Sequence, residues 1–118
     1  MIHLYLDREI RPYTYYIQDV IGRLGLTDET ADILFTYGNL EEELNGYCTG
    51  DSDFIEIYIN DGLNETELLK TLAHELVHAK QLVFKQEYSE QEAYALEETL
   101  YKLFWSEKKN ASTINNVV

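Results

Sequence analysis

The chain opens with apolar and polar positions in alternation, Ile2-His3-Leu4-Tyr5-Leu6, the two-residue period of a β-strand. After Pro12 the period lengthens: Tyr13, Tyr16, Ile17, Val20, Ile21 and Leu24 recur at helical spacing, and Gly25 stops that helix. Two short apolar runs follow, Ile33-Leu34-Phe35-Thr36-Tyr37 and Gly46-Tyr47-Cys48-Thr49, set apart by Gly38-Asn39 and an acidic stretch, and both read as strands. The plainest strand is Phe54-Ile55-Glu56-Ile57-Tyr58-Ile59, with its isoleucines on one face and a hairpin turn, Gly50-Asp51-Ser52-Asp53, before it.

From Asn64 the helical period returns in Leu68, Leu69, Leu72, Leu76, Ala79 and Val83, and Asn64 with Glu67 resembles a capping box. A turn is predicted around Gln86 to Ser89. Ser89 with Glu92 repeats the capping pattern ahead of Ala93, Leu96, Leu100, Leu103 and Phe104, which predict a closing helix. The segment 110–118 is polar, has no periodic face and is expected to be disordered. The order strand, helix, three strands, two helices predicts a single α+β domain over 1–109, in which a small, mostly antiparallel sheet packs against an N-terminal, a central and a C-terminal helix.

Net charge narrows the function. Nine Lys and Arg against 22 Asp and Glu leave the chain at -13, which repels phosphate backbones and argues against DNA or RNA as partner. The carboxylates suit cations or basic partners, although most of them are expected to form only a solvated surface. The one cysteine, Cys48, cannot make an internal disulfide, and its neighbours Tyr47 and Thr49 offer no group to activate a thiolate, so a half-buried hydrophobe is expected there. The N-terminus lacks a basic segment followed by a long apolar run, and no stretch approaches the ~20 apolar residues of a membrane span. The expectation is a soluble, intracellular protein.

The central helix carries the run His74-Glu75-Leu76-Val77-His78. One turn separates the two histidines, so both imidazoles can reach one metal ion, while Glu75 beside them suits a carboxylate that takes a proton from an activated water. Val77 and Phe84 flank that face and imply a sheltered cleft. The bland alternative is a chance pair of histidines, each hydrogen-bonded to a neighbour. Catalytic zinc needs a third protein ligand. Gln81 and Phe84 stand where the metzincin extension requires Gly and His, which excludes that subclass. His3 is a lesser candidate, more in keeping with a structural histidine on its strand. In the closing helix Glu90, Glu92, Glu97 and Glu98 are available; Glu92 and Glu97 flank its apolar stripe, Glu90 and Glu98 point more to the side of Tyr94 and Tyr101, and Glu92 is preferred unless it serves only to cap the helix.

Taken together, His74-Glu75-Leu76-Val77-His78 and the later Glu92-Ala93-Tyr94 resemble the minimal gluzincins, including ImmA/IrrE-type peptidases and small metallopeptidases of bacteria and bacteriophages. The resemblance implies a minimal zincin-like fold, one zinc ion per chain held by His74, His78 and Glu92, Glu75 as general base, and hydrolysis of a peptide or protein substrate in the cytoplasm of a bacterium or an infected host. The gap from His78 to Glu92 is shorter than in many gluzincins, which keeps Glu97 open as the third ligand. Gln81 matches a glutamine that often follows the motif in the phage proteins, with a supporting role. Tyr47, Tyr88 and Tyr94 are the candidates for an oxyanion donor, and the strand Phe54 to Ile59 could pair along its edge with an extended substrate. A zincin-like protein that binds or regulates a partner without peptidase activity is the alternative from another class.

Overall fold

The computed structural model describes residues 1–41 and 43–117, with side chains through 108. The chain is α+β, with the elements in the order its periodicity predicts. Strand β1 (Ile2–Leu6) leads through a short 3-10 turn at Arg11–Tyr13 into helix α1 (Thr14–Arg23); strands β2 (Ala31–Gly38), β3 (Gly46–Gly50) and β4 (Phe54–Asn60) follow, then helices α2 (Glu65–Val83) and α3 (Glu90–Val117). The expectation of a disordered tail at 110–118 falls on residues whose side chains, with all of Val118, lie outside the described residues. Among the described residues no helix is long and apolar enough to cross a membrane.

The strands form one mixed sheet in the order β1-β2-β4-β3. Here the expectation of a mostly antiparallel sheet is corrected: β1 with β2 and β2 with β4 are parallel, and only β3 with β4 is antiparallel. Hydrophobic alternation fixes which face of a strand is buried but carries no information on the direction of its neighbour. The direction is set by the connections. Helix α1 carries the chain back between β1 and β2, and the β3–β4 hairpin inserts its second strand next to β2.

That hairpin is built by its turn. Asp51 Oδ1 accepts hydrogen bonds from the backbone N–H of Asp53 and of Phe54, each at 2.9 Å, and this holds the Asp51 carboxyl below the usual range. Gly50 has φ +132°, a conformation that L side chains rarely adopt.

One face of the sheet is apolar. Ile33 pairs in register with Ile55 and Phe35 with Ile57, and all four are fully buried together with Ile59. They form a single core with Ile17 and Val20 of α1, with Leu72 and Leu76 of α2, and with Ala93 and Leu100 of α3. Burying one such side chain is worth about 1.5–3 kcal/mol. Helix α2 starts as predicted, with Asn64 Oδ1 accepting from the Glu67 N–H at 2.9 Å, and every residue from Thr71 to Ala79 is buried. A helix covered this completely holds any polar side chain in its middle in a fixed place.

Candidate metal centre

His74, Glu75 and His78 lie in that buried stretch of α2 at 8%, 5% and 5% exposure. Close packing brings α2 against the edge strand: a Cβ on Gly46 would lie 2.6 Å from the Tyr58 carbonyl oxygen and 3.0 Å from Thr71 Cγ2, so only glycine lets β3 start this near the helix. Between β3, α2 and the start of α3 opens a cleft of about 370 Å³ into which both histidines and Glu75 face.

The third group is Glu90, the first residue of α3, and not Glu92. One ligand atom each from His74, His78 and Glu90 lie within 4.8 Å of one another. Glu90 Oε1 is 3.2 Å from His74 Nε2 and also contacts His78 Nε2. Glu92 turns the other way, to Lys80 Nζ at 2.9 Å and Gln81 Nε2 at 2.8 Å, while its backbone N–H donates to Ser89 Oγ. The capping role weighed against its ligand role is the one its surroundings support, and its hydrogen-bonded link to the site among the described residues runs through Gln81.

Helix geometry explains the exchange. At about 100° per residue, Glu90 and Glu97 fall within about 20° of each other, with Tyr94 within about 60° of both, whereas Glu92 and Glu97 are about 140° apart and cannot both face the histidines. The face Glu90-Tyr94-Glu97, at spacings of four and three, was the signal available in the sequence.

Both histidines are held from behind. His74 Nδ1–H donates to Glu97 Oε1 at 2.9 Å, and His78 Nδ1–H donates to Gln81 Oε1 at 2.9 Å. Gln81, only 3% exposed, also accepts from the Ser89 N–H and donates to the Ser89 carbonyl, which ties the α2–α3 turn to the metal face of α2. These bonds place the ring proton on Nδ1 and leave the Nε2 lone pair toward Glu90. Unless each ring takes a second proton, three acceptors therefore converge on one point, and a divalent cation satisfies all of them. Two imidazole nitrogens and a carboxylate are a donor set that zinc accepts.

Electrostatics follow burial. Burial pushes the Glu75 carboxyl up to about 7, with His74 and His78 opposing and Glu90 and Glu97 adding to the rise. Partial burial also acts to raise Glu90, but its contacts with His78, Tyr88 and His74 outweigh it and hold that carboxyl below its ordinary value. Burial pushes the Cys48 thiol up to about 12, in keeping with a packed hydrophobe.

The remaining candidates separate cleanly. Tyr47, Tyr88 and Tyr94 all line the cleft; Tyr88 stacks flat on His78 at 4.5 Å between ring centroids, and Tyr94 meets His74 edge-on at 4.6 Å. His3 sits on β1, at the opposite edge of the sheet from β3, with Nδ1 3.1 Å from Asp32. Glu98 pairs with Lys70 at 2.6 Å. The strand Phe54–Asn60 has neighbours on both sides, so it offers no edge; the edge strand beside the cleft is β3. Compared with protein-family models, with curated proteins and with solved structures, the chain matches none.

Proposed function

We propose that the chain is a zinc-dependent peptidase of gluzincin type, with His74, His78 and Glu90 as metal ligands and Glu75 as general base. The observation that carries this reading is the convergence of His74 Nε2, His78 Nε2 and a Glu90 oxygen beside a buried Glu75 that lines the same cleft. Bound there, zinc supplies a Lewis acid that polarises a carbonyl and makes water nucleophilic near neutral pH. Glu75 would take a proton from the attacking water and pass it to the leaving amine. Without metal, burial holds this carboxyl up at about 7; a cation beside it would lower that value and favour the ionised form that accepts a proton.

The other residues of the cleft bind and position. Glu97 and Gln81 keep the rings of His74 and His78 turned toward the metal. Strand β3, at the sheet edge, has backbone groups with which an extended polypeptide can pair. Tyr47, Tyr88 and Tyr94 line the same cleft and are the candidates to donate a hydrogen bond to the carbonyl oxygen.

Metal content by inductively coupled plasma mass spectrometry, read together with peptide cleavage, tests the reading. Wild-type protein is expected to carry about one zinc per chain and to cleave peptides, with Glu75→Gln keeping the metal and losing roughly 10²–10⁴ in rate. A folded protein that takes up no zinc near neutral pH sinks the proposal and leaves a zincin-like partner-binding protein as the better account.

A further inference from the structure

The cleft is chemically lopsided along β3. At the Gly46 end its walls carry Glu43, Glu75, Glu90 and Glu97, and a second cavity of about 220 Å³ at the Gly50 end is lined by Thr49, Gln81, Leu82 and Gln86, with no Asp or Glu among the described residues. Among the described residues neither cavity is lined by Lys or Arg. His78, Cys48 and Tyr88 border both, so one extended segment lying along β3 would pass the metal group with its two sides in different surroundings.

The Gly46 end also holds a group that asks for a ligand. Glu75 is 5% exposed, lines the cleft and has no hydrogen-bond partner among the described residues. Even without Glu75, the carboxylates of Glu43, Glu90 and Glu97 against the two charges of a zinc ion leave this end negative. Of these, Glu90 faces the histidines and Glu97 holds His74, while Glu43 is exposed at the mouth with no ion pair among the described residues. Tyr47 and Tyr94, 39% and 63% exposed, border the same end. A carboxylate at the mouth of a cleft that also carries partly exposed tyrosine rings is a setting that can receive an ammonium or guanidinium on an apolar stem.

We propose that the polypeptide recognised by this cleft carries a Lys or Arg side chain next to the bond over His74 and His78, seated at the Gly46 end against Glu43, with an uncharged residue on the Gly50 side. The inference rests on the peptidase reading for the position of the bond. The charge of the whole chain, -13, acts in the same direction by drawing basic segments to the surface before they dock.

Binding and cleavage are measured separately so that the two ideas fail separately. Zinc-loaded Glu75→Gln protein, which leaves the probe intact, is titrated with eight-residue peptides of Ala, Ser and Leu that differ only in a central Lys, Glu or Gln. The Lys peptide is expected to bind at least about tenfold more tightly than the Glu peptide at low salt, with the ratio shrinking at about 0.5 M salt. Adding Glu43→Gln is expected to narrow the ratio by up to roughly fivefold, the scale of one partly exposed ion pair. Equal affinities, no binding of any peptide, or a preference indifferent to both salt and Glu43→Gln overturns the inference. Wild-type protein that binds with the Lys preference but cleaves nothing removes the hydrolysis and leaves recognition standing; cleavage with no Lys or Arg beside the broken bonds does the reverse.

Discussion

His74 Nδ1 lies 2.9 Å from Glu97 Oε1, so an acidic residue on α3 orients a histidine on α2 from the side away from the metal group. On the proposed reading Glu97 is thus coupled to metal affinity without being one of the three convergent ligand groups. Glu97→Gln, which can still accept a hydrogen bond but carries no charge, is expected to weaken zinc binding about tenfold, and Glu97→Ala up to about 100-fold. Competition with a zinc chelator of known affinity measures both. Equal affinity in all three proteins would show that His74 needs no such partner.

The two glutamates two residues apart at the start of α3 are expected to behave oppositely. Glu90→Ala removes one of three ligand groups and should abolish stoichiometric zinc. Glu92→Ala removes an ion pair to Lys80 and a hydrogen bond to Gln81, both partly exposed, and should keep the zinc at a stability cost of about 1 kcal/mol or less. Metal analysis of the two purified variants decides; zinc lost from Glu92→Ala and kept by Glu90→Ala would restore the assignment made from the sequence.

How much was legible follows from what each signal measures. His74, Glu75 and His78 were readable because their chemistry lies within one turn of one helix, where spacing alone sets the geometry. Element order was readable for the same local reason: Ile55, Ile57 and Ile59 report their own burial, and Asn64 and Ser89 report their own caps. Strand direction was not, because the pairing of β2 with β4 depends on where a hairpin docks. Which glutamate joins the two histidines is decided at an intermediate distance. Ser89 and Glu92 do form a cap, and once the Glu92 N–H is committed to Ser89 Oγ the carboxylate that turns back toward α2 is that of Glu90.

Glu75 predicts a pH signature of the metal-free protein. Its carboxyl is raised to about 7 in the folded state, against an ordinary 4.5, mainly by burial. Between those values the folded chain holds a proton that the unfolded chain has lost, so this contribution is complete below about pH 4.5 and disappears as pH rises through 7. The full effect is on the order of 3 kcal/mol. Urea unfolding in the presence of chelator, at pH 5 and at pH 8, should therefore show wild type losing stability relative to Glu75→Gln on going to the higher pH. Parallel curves for the two proteins would mean that Glu75 is solvated in the metal-free state.

Tyr16 of α1 predicts a gain. Its side chain is 2% exposed and its ring meets Phe104 of α3 edge-on at 4.9 Å, yet its hydroxyl has no hydrogen-bond partner among the described residues. Burial pushes that hydroxyl well above the usual tyrosine range, so it stays protonated and the buried O–H is an uncompensated donor. Such a group costs about 1–3 kcal/mol, and Tyr16→Phe removes it while keeping the ring and its contact with Phe104. The variant is expected to unfold at higher denaturant concentration, by about 1 kcal/mol, with an unchanged denaturant slope and unchanged zinc content. A loss of stability instead would mean that the hydroxyl is satisfied by a buried water, and that α1 and α3 are joined by a polar bridge as well as by the aromatic pair.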